Sequence, residues 1–200
     1  MQKNDQSQSH PLSAAQGRIL LGLARRSIAE RLGLPCGDPG EPAELSGDKA
    51  LQAQRGTFVT LKKHGELRGC IGSLVASESI VEGVRRNALN AAFHDSRFSP
   101  LAREELEEIA IEVSILTEPV LLAYADGGDL LTKLRKGMDG VILRKGSQSA
   151  TFLPQVWEQL PRTEDFLSHL CRKAWLPPDA WRRERLEVFV YQVQHFSESP

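Results

Sequence analysis

Thr57-Phe58-Val59-Thr60-Leu61 and Glu66-Leu67-Arg68-Gly69-Cys70-Ile71, joined through His64-Gly65, decide the fold class. Both runs are rich in β-formers, and His-Gly between them supplies a tight turn. The stretch reads as a β-hairpin. Strand alternation places Leu67 and Ile71 on one face and Arg68 and Cys70 on the other. Gly69 lies between them without a side chain, so another backbone or a ligand can approach closely there.

Working outward, the neighbouring elements agree with a mixed fold. Upstream, Leu20, Ala24, Ile28 and Leu32 share one helical face, Ser13 and Gln16 have the spacing of a capping box, and Gly33 is a stop. Residues 1–11 are polar and read as a flexible leader. Residues 35–49 are rich in Pro and Gly and read as an irregular connector. Downstream, Ile80, Val84, Ala88 and Ala91 mark a helix ending near His94. Ile109, Ile111, Val113 and Ile115 alternate as a strand. Asp126–Leu134 is a short helix, and 140–144 with 149–153 form a second hairpin. Pro154 suits a helix start. Thr163 is expected to cap one helix and Asp179 another. Residues 186–196 read as one strand with apolar side chains on both faces. Hairpins outnumber β-helix-β crossovers, so the class is α+β, with a mainly antiparallel sheet flanked by helices.

Size and charge fit one domain or two closely packed lobes. The chain has 200 residues, 25 basic against 26 acidic, and a net charge of -1. That balance argues against a broad basic surface for nucleic acid. No apolar run approaches the roughly 20 residues a bilayer crossing needs. Three scattered cysteines, Cys36, Cys70 and Cys171, argue against a secreted disulfide scaffold and for the cytoplasm.

Three polar clusters are candidates for chemistry. A guanidinium at Arg68 near the Cys70 thiol would favour the thiolate; the competing explanation is a small buried cysteine in a tightly packed strand. His94-Asp95-Ser96-Arg97 follows a helix. His94 could serve Cys70 as a base with Asp95 orienting its ring, or the cluster simply terminates the helix, with Arg97 paired to Asp95. At Thr151-Phe152-Leu153-Pro154-Gln155 a strand feeds a helix start, where Gln155 could add an amide contact. There is no phosphate-loop spacing, no Cys-x-x-Cys and no His-Glu-x-x-His, so neither a metal nor a cofactor is expected.

These phrases together resemble the AMMECR-type domain family, and more closely its prokaryotic branch, the AmmeMemoRadiSam system protein A. The likeness rests on Leu67–Gly72, on Arg55-Gly56-Thr57-Phe58-Val59-Thr60, on Asn90–Phe98, on Gly140-Val141-Ile142-Leu143, and on Phe152-Leu153-Pro154-Gln155-Val156-Trp157. Trp175 stands where a glycine is expected. The likeness spans residues 12–197, taken as one domain. It implies two interlocked lobes, the smaller with its own antiparallel sub-sheet, and a cleft between them near Arg68, Gly69 and Cys70, lined or braced by Asp95 and Arg97. It also implies a Memo-like protein and a radical SAM protein as company, with a small molecule or protein segment in the cleft. Three functions follow as expectations: an accessory enzyme or substrate-presenting component working through Arg68 and Cys70; a non-enzymatic binding or scaffold domain; and, less supported, an RNA-associated protein.

Overall fold

The computed structural model describes residues 11–35, 45 and 47–198. The polar leader lies outside them but for Pro11, as does most of the 35–49 connector, including Cys36. The chain forms two compact units, residues 1–116 with 194–200, and residues 117–193.

The first unit opens with α1 (Ala14–Arg31), where the Ser13–Gln16 capping box forms as the spacing predicts. Its C-terminus closes through Gly33 at φ 68°, while the Leu34 N–H reaches back to the Ala29 carbonyl. The hairpin follows as β1 (Thr57–Lys63) and β2 (Glu66–Ser73). His64 and Gly65 both take positive φ, at 53° and 85°, which lets two residues reverse the chain. Next come α2 (Ile80–Phe93), one 3-10 turn at Arg103–Glu105, and β3 (Ile109–Leu116). The final strand, β8 (Val193–Ser197), completes a sheet of order β2-β1-β3-β8. The β1–β2 and β1–β3 pairs are antiparallel.

Helix α2 packs on β1 and β2, and α1 packs on α2 and β3. Leu20, Ile28, Val59, Leu61, Ile80, Val84 and Ile111 fill the space between them, each at most 1% exposed. Burying each such side chain contributes about 1.5–3 kcal/mol. Gly69 is where strand and helix come closest. A Cβ there would sit 2.2 Å from the Ala91 carbonyl oxygen.

One expectation about β2 needs correcting. Leu67 does not share the core face with Ile71; it is 43% exposed. The register shifts at Leu61/Lys62, so that Leu61 pairs with Gly69 and Lys62 with Leu67. Arg68 is thus the extra residue of a β-bulge, and a bulge breaks simple alternation.

The second unit contains β4 (Val120–Leu121), α3 (Gly127–Lys133), β5 (Gly140–Lys145), β6 (Gln148–Phe152), α4 (Val156–Gln159), α5 (Thr163–Lys173), α6 (Ala180–Arg183) and β7 (Glu187–Tyr191). Its sheet has the order β4-β7-β5-β6 and is antiparallel throughout. Phe166, Leu167, Leu170, Val141, Leu143 and Val188 are sealed inside. Trp157 stacks on Phe166 at 3.7 Å between centroids and donates its indole N–H to the Asp139 carbonyl.

Here too the caps differ from expectation. Thr163 is the first residue of α5, buried, with Arg162 in the flanking position and no side-chain cap. Asp179 flanks α6 without capping it, because its carboxylate pairs with Arg183 at 2.7 Å. The single strand expected over 186–196 is two strands belonging to different sheets. They part at Gln192, whose carbonyl accepts the Thr117 N–H and whose N–H donates to Thr117 Oγ1, both at 2.9 Å. Among the described residues, no helix is long and apolar enough to cross a membrane.

Candidate functional site

Cys70 sits on β2, an outer strand of its sheet, directly across from Thr60. The Thr60 hydroxyl donates to Cys70 Sγ at 3.3 Å, and the residue is half-buried. The outer position leaves the Cys70 peptide groups facing away from β1. Left bare, such groups invite pairing with another chain. They are instead taken by the turn after α2. The Cys70 N–H donates to Asp95 Oδ2 at 2.9 Å, and Arg97 Nη2 donates to the Cys70 carbonyl at 3.3 Å.

Asp95 is 6% exposed and fully engaged. Beyond the Cys70 N–H, it accepts Arg97 Nε at 2.9 Å, Arg97 Nη2 at 2.7 Å and the Arg97 backbone N–H at 3.2 Å. The Arg97 guanidinium, aided by the Cys70 N–H, holds the Asp95 carboxyl far below the usual range, although burial acts in the opposite direction. Asp95 in turn raises Arg97.

Arg68 is anchored by a second fork. Its Nε and Nη2 meet the two oxygens of Glu105 at 3.0 and 2.9 Å. Glu105 also accepts the Ala102 N–H at 3.0 Å and Lys63 Nζ at 3.3 Å. Its carboxyl is held down at about 2, chiefly by Arg68. The guanidiniums of Arg68 and Arg97 both approach the Phe98 ring, at 5.9 and 5.4 Å from its centroid. Arg68, Cys70, Asp95 and Arg97 therefore meet in one cluster around Phe98 and the outer edge of β2.

The other sequence-derived candidates are placed differently. His94 is the exposed residue that ends α2, and among the described residues its ring has no hydrogen bond or ion pair. Asp95 spends its oxygens on Cys70 and Arg97 and makes no bond to the His94 ring. Gly69 faces the α2 backbone at Ala91. Gln155 is exposed and belongs to the second unit, at the start of the one-turn α4.

Partners that sequence reasoning missed complete the picture. Glu105 lies 37 positions from Arg68, with no local pattern to link them. Thr60 was hidden by the bulge: counted from the His64-Gly65 turn, plain pairing sets Thr60 against Gly69, and the shift at Leu61/Lys62 brings it opposite Cys70. Thr60 also pairs across β1–β3 with Glu112. Glu112 meets Lys62 Nζ at 3.1 Å and His195 Nδ1 at 3.6 Å, and its carboxyl is held at about 2, His195 contributing most. Ser114 Oγ lies 2.9 Å from His195 Nδ1. Among the described residues, no group of three or more His, Cys, Asp or Glu side chains is placed to hold a metal ion.

Comparison with known proteins agrees with this architecture. The AMMECR1 family model matches residues 21–196. The protein MK0488 of Methanopyrus kandleri is 39% identical over 196 residues, covering 94% of this chain and 90% of that one. A protein of Methanothermobacter thermautotrophicus is 37% identical over 195 residues, covering 94% and 97%. The crystal structure of the uncharacterized protein PH0010 from Pyrococcus horikoshii superposes with a TM-score of 0.76 at 34% identity, covering 94% of each chain. With a hairpin built on Arg68–Cys70, two antiparallel sheets and relatives matched over nearly their full length, the chain belongs to the AMMECR1 family.

Proposed function

We propose that this chain is a substrate-presenting component of a system that includes a Memo-like protein and a radical SAM protein. It holds a small molecule or a partner segment against the surface formed by Arg68 and Cys70. The resemblance to the AmmeMemoRadiSam system protein A supplies the partners. The observation that carries the presenting role is the commitment of Asp95. Its carboxylate is locked to the Cys70 N–H and to Arg97, so it does not orient His94 as a base for the thiol. Cys70 is half-buried on β2, with the Thr60 hydroxyl at its sulfur and its peptide groups held by Asp95 and Arg97. A group fixed in this way is suited to present and position rather than to run a Cys–His relay.

The test is capture of purified Memo-like and radical SAM proteins by the tagged chain, compared with Cys70→Ala and with Arg68→Met. Capture by the unaltered chain that falls at least tenfold in either variant, with the fold intact, supports the reading. Equal capture by all three, or none by any, removes it. A second reading, in which the motif only builds the fold, has Gly69 in its favour because its position is set by the Ala91 carbonyl. That reading expects Cys70→Ala to leave both capture and system activity unchanged.

A further inference from the structure

We infer that the second unit carries a binding site for a phosphate-class anion in the hollow between α5 and the Pro178–Arg182 segment. The hollow has a volume of about 370 Å³, and Ser168, His169, Arg172, Asp179, Trp181 and Arg182 contribute to its walls. That volume falls at the small end of ligand sites.

Its charges are unevenly spent. Asp179 is bound by Arg183 at 2.7 Å, and Asp165 faces Arg162 at 3.7 Å. Arg172 and His169, by contrast, have no side-chain partner among the described residues. Arg182 stacks its guanidinium over the Trp181 ring at 4.5 Å. That contact uses the face of the guanidinium, and among the described residues its N–H donors meet no acceptor. Arg25, Arg68, Arg97 and Arg135 show the opposite case, each forking onto a carboxylate. Glu164 is the uncommitted carboxylate at the hollow, so the unspent charge there is positive on balance.

A neutral donor adds to the set. Ser168 Oγ accepts the Trp181 indole N–H at 3.2 Å, which orients the hydroxyl and keeps its own proton for a further acceptor. Two arginine forks, a hydroxyl and an imidazole around a small hollow suit a tetrahedral oxyanion, whose acceptors point in several directions. A phosphate or phosphate monoester of a small molecule is the class that fits.

The test is calorimetric titration of the full chain at constant ionic strength with inorganic phosphate and, separately, with glycerol phosphate. Both are repeated on Arg172→Gln/Arg182→Gln. These side chains are exposed, so the double variant is expected to melt as the unaltered chain does. Saturable binding that weakens at least about tenfold in the double variant supports the site. Tighter binding of glycerol phosphate identifies an ester as the ligand, and equal or tighter binding of inorganic phosphate identifies the free anion. Heat that rises without saturating, or equal binding by the variant, overturns the site.

Discussion

The carboxylate of Asp95 accepts the backbone N–H of Cys70 at 2.9 Å across 25 positions of sequence, while Arg97 holds the same carboxylate and donates to the Cys70 carbonyl. A turn thereby takes the place of a neighbouring strand at the outer edge of β2. The thiol is fixed through its own peptide, and the acid beside it serves the backbone.

Asp95→Ala should therefore weaken the fold as well as the site. It strips the acceptor from the Cys70 N–H and leaves Arg97 without its partner. A loss of about 2–3 kcal/mol is expected in urea unfolding. Arg97→Gln leaves the buried Asp95 carboxylate with its two backbone N–H donors, so it should lose less than Asp95→Ala, about 1–2 kcal/mol. Equal losses would mean that the pair acts by charge alone.

Gly69→Ala puts a methyl group 2.2 Å from the Ala91 carbonyl oxygen. Strand and helix backbones cannot both yield cheaply, so the loss should be about 2–3 kcal/mol or more. Cys70→Ser, next in sequence, should lose less than about 1.5 kcal/mol. Comparing their melting curves separates the packing role of the glycine from the surface role of the cysteine.

Acid should weaken the first unit in a defined window. Glu105 and Glu112 have folded-state values of about 2 against an ordinary 4.5, held down chiefly by Arg68 and His195. A carboxyl depressed on folding stabilises above its unfolded value, and that contribution is lost as pH falls through the folded value. Stability should thus decline from about pH 4.5 toward pH 2. Glu105→Gln and Glu112→Gln should each flatten this limb when unfolding is followed against pH. An unchanged limb in both would show that other groups carry it.

The two described cysteines should differ in reactivity. Cys171 is completely buried, and burial pushes its thiol up. In a Cys36→Ser background, iodoacetamide should label Cys70 in the native chain and reach Cys171 only on unfolding. Thr60→Val removes the hydroxyl that donates to Cys70 Sγ and should slow Cys70 labelling at fixed pH by about threefold to tenfold. Peptide mapping by mass spectrometry reads both sites.

The sequence reveals most of the local architecture. The Ser13–Gln16 capping box, the His64-Gly65 turn and the β3 alternation are short-range patterns, and short-range patterns survive folding. The break at Gln192 left no such mark. Phe189, Tyr191 and Val193 continue one alternation, and the clamp that divides it comes from Thr117, 75 positions away. The bulge at Arg68 is equally silent, because its cause is the register against β1. In the candidate site, Arg68, Cys70, Asp95 and Arg97 were legible and do come together. Their roles were not legible, since these depend on Glu105 and on which oxygen Asp95 gives to the Cys70 N–H.

The central claim is that Cys70 works without His94 as its base. Its most direct test is the rate of Cys70 alkylation against pH in the native chain and in His94→Gln. The two profiles should superimpose, with rates within about twofold. A drop of tenfold or more in His94→Gln, or loss of a low-pH limb present in the unaltered chain, would contradict it.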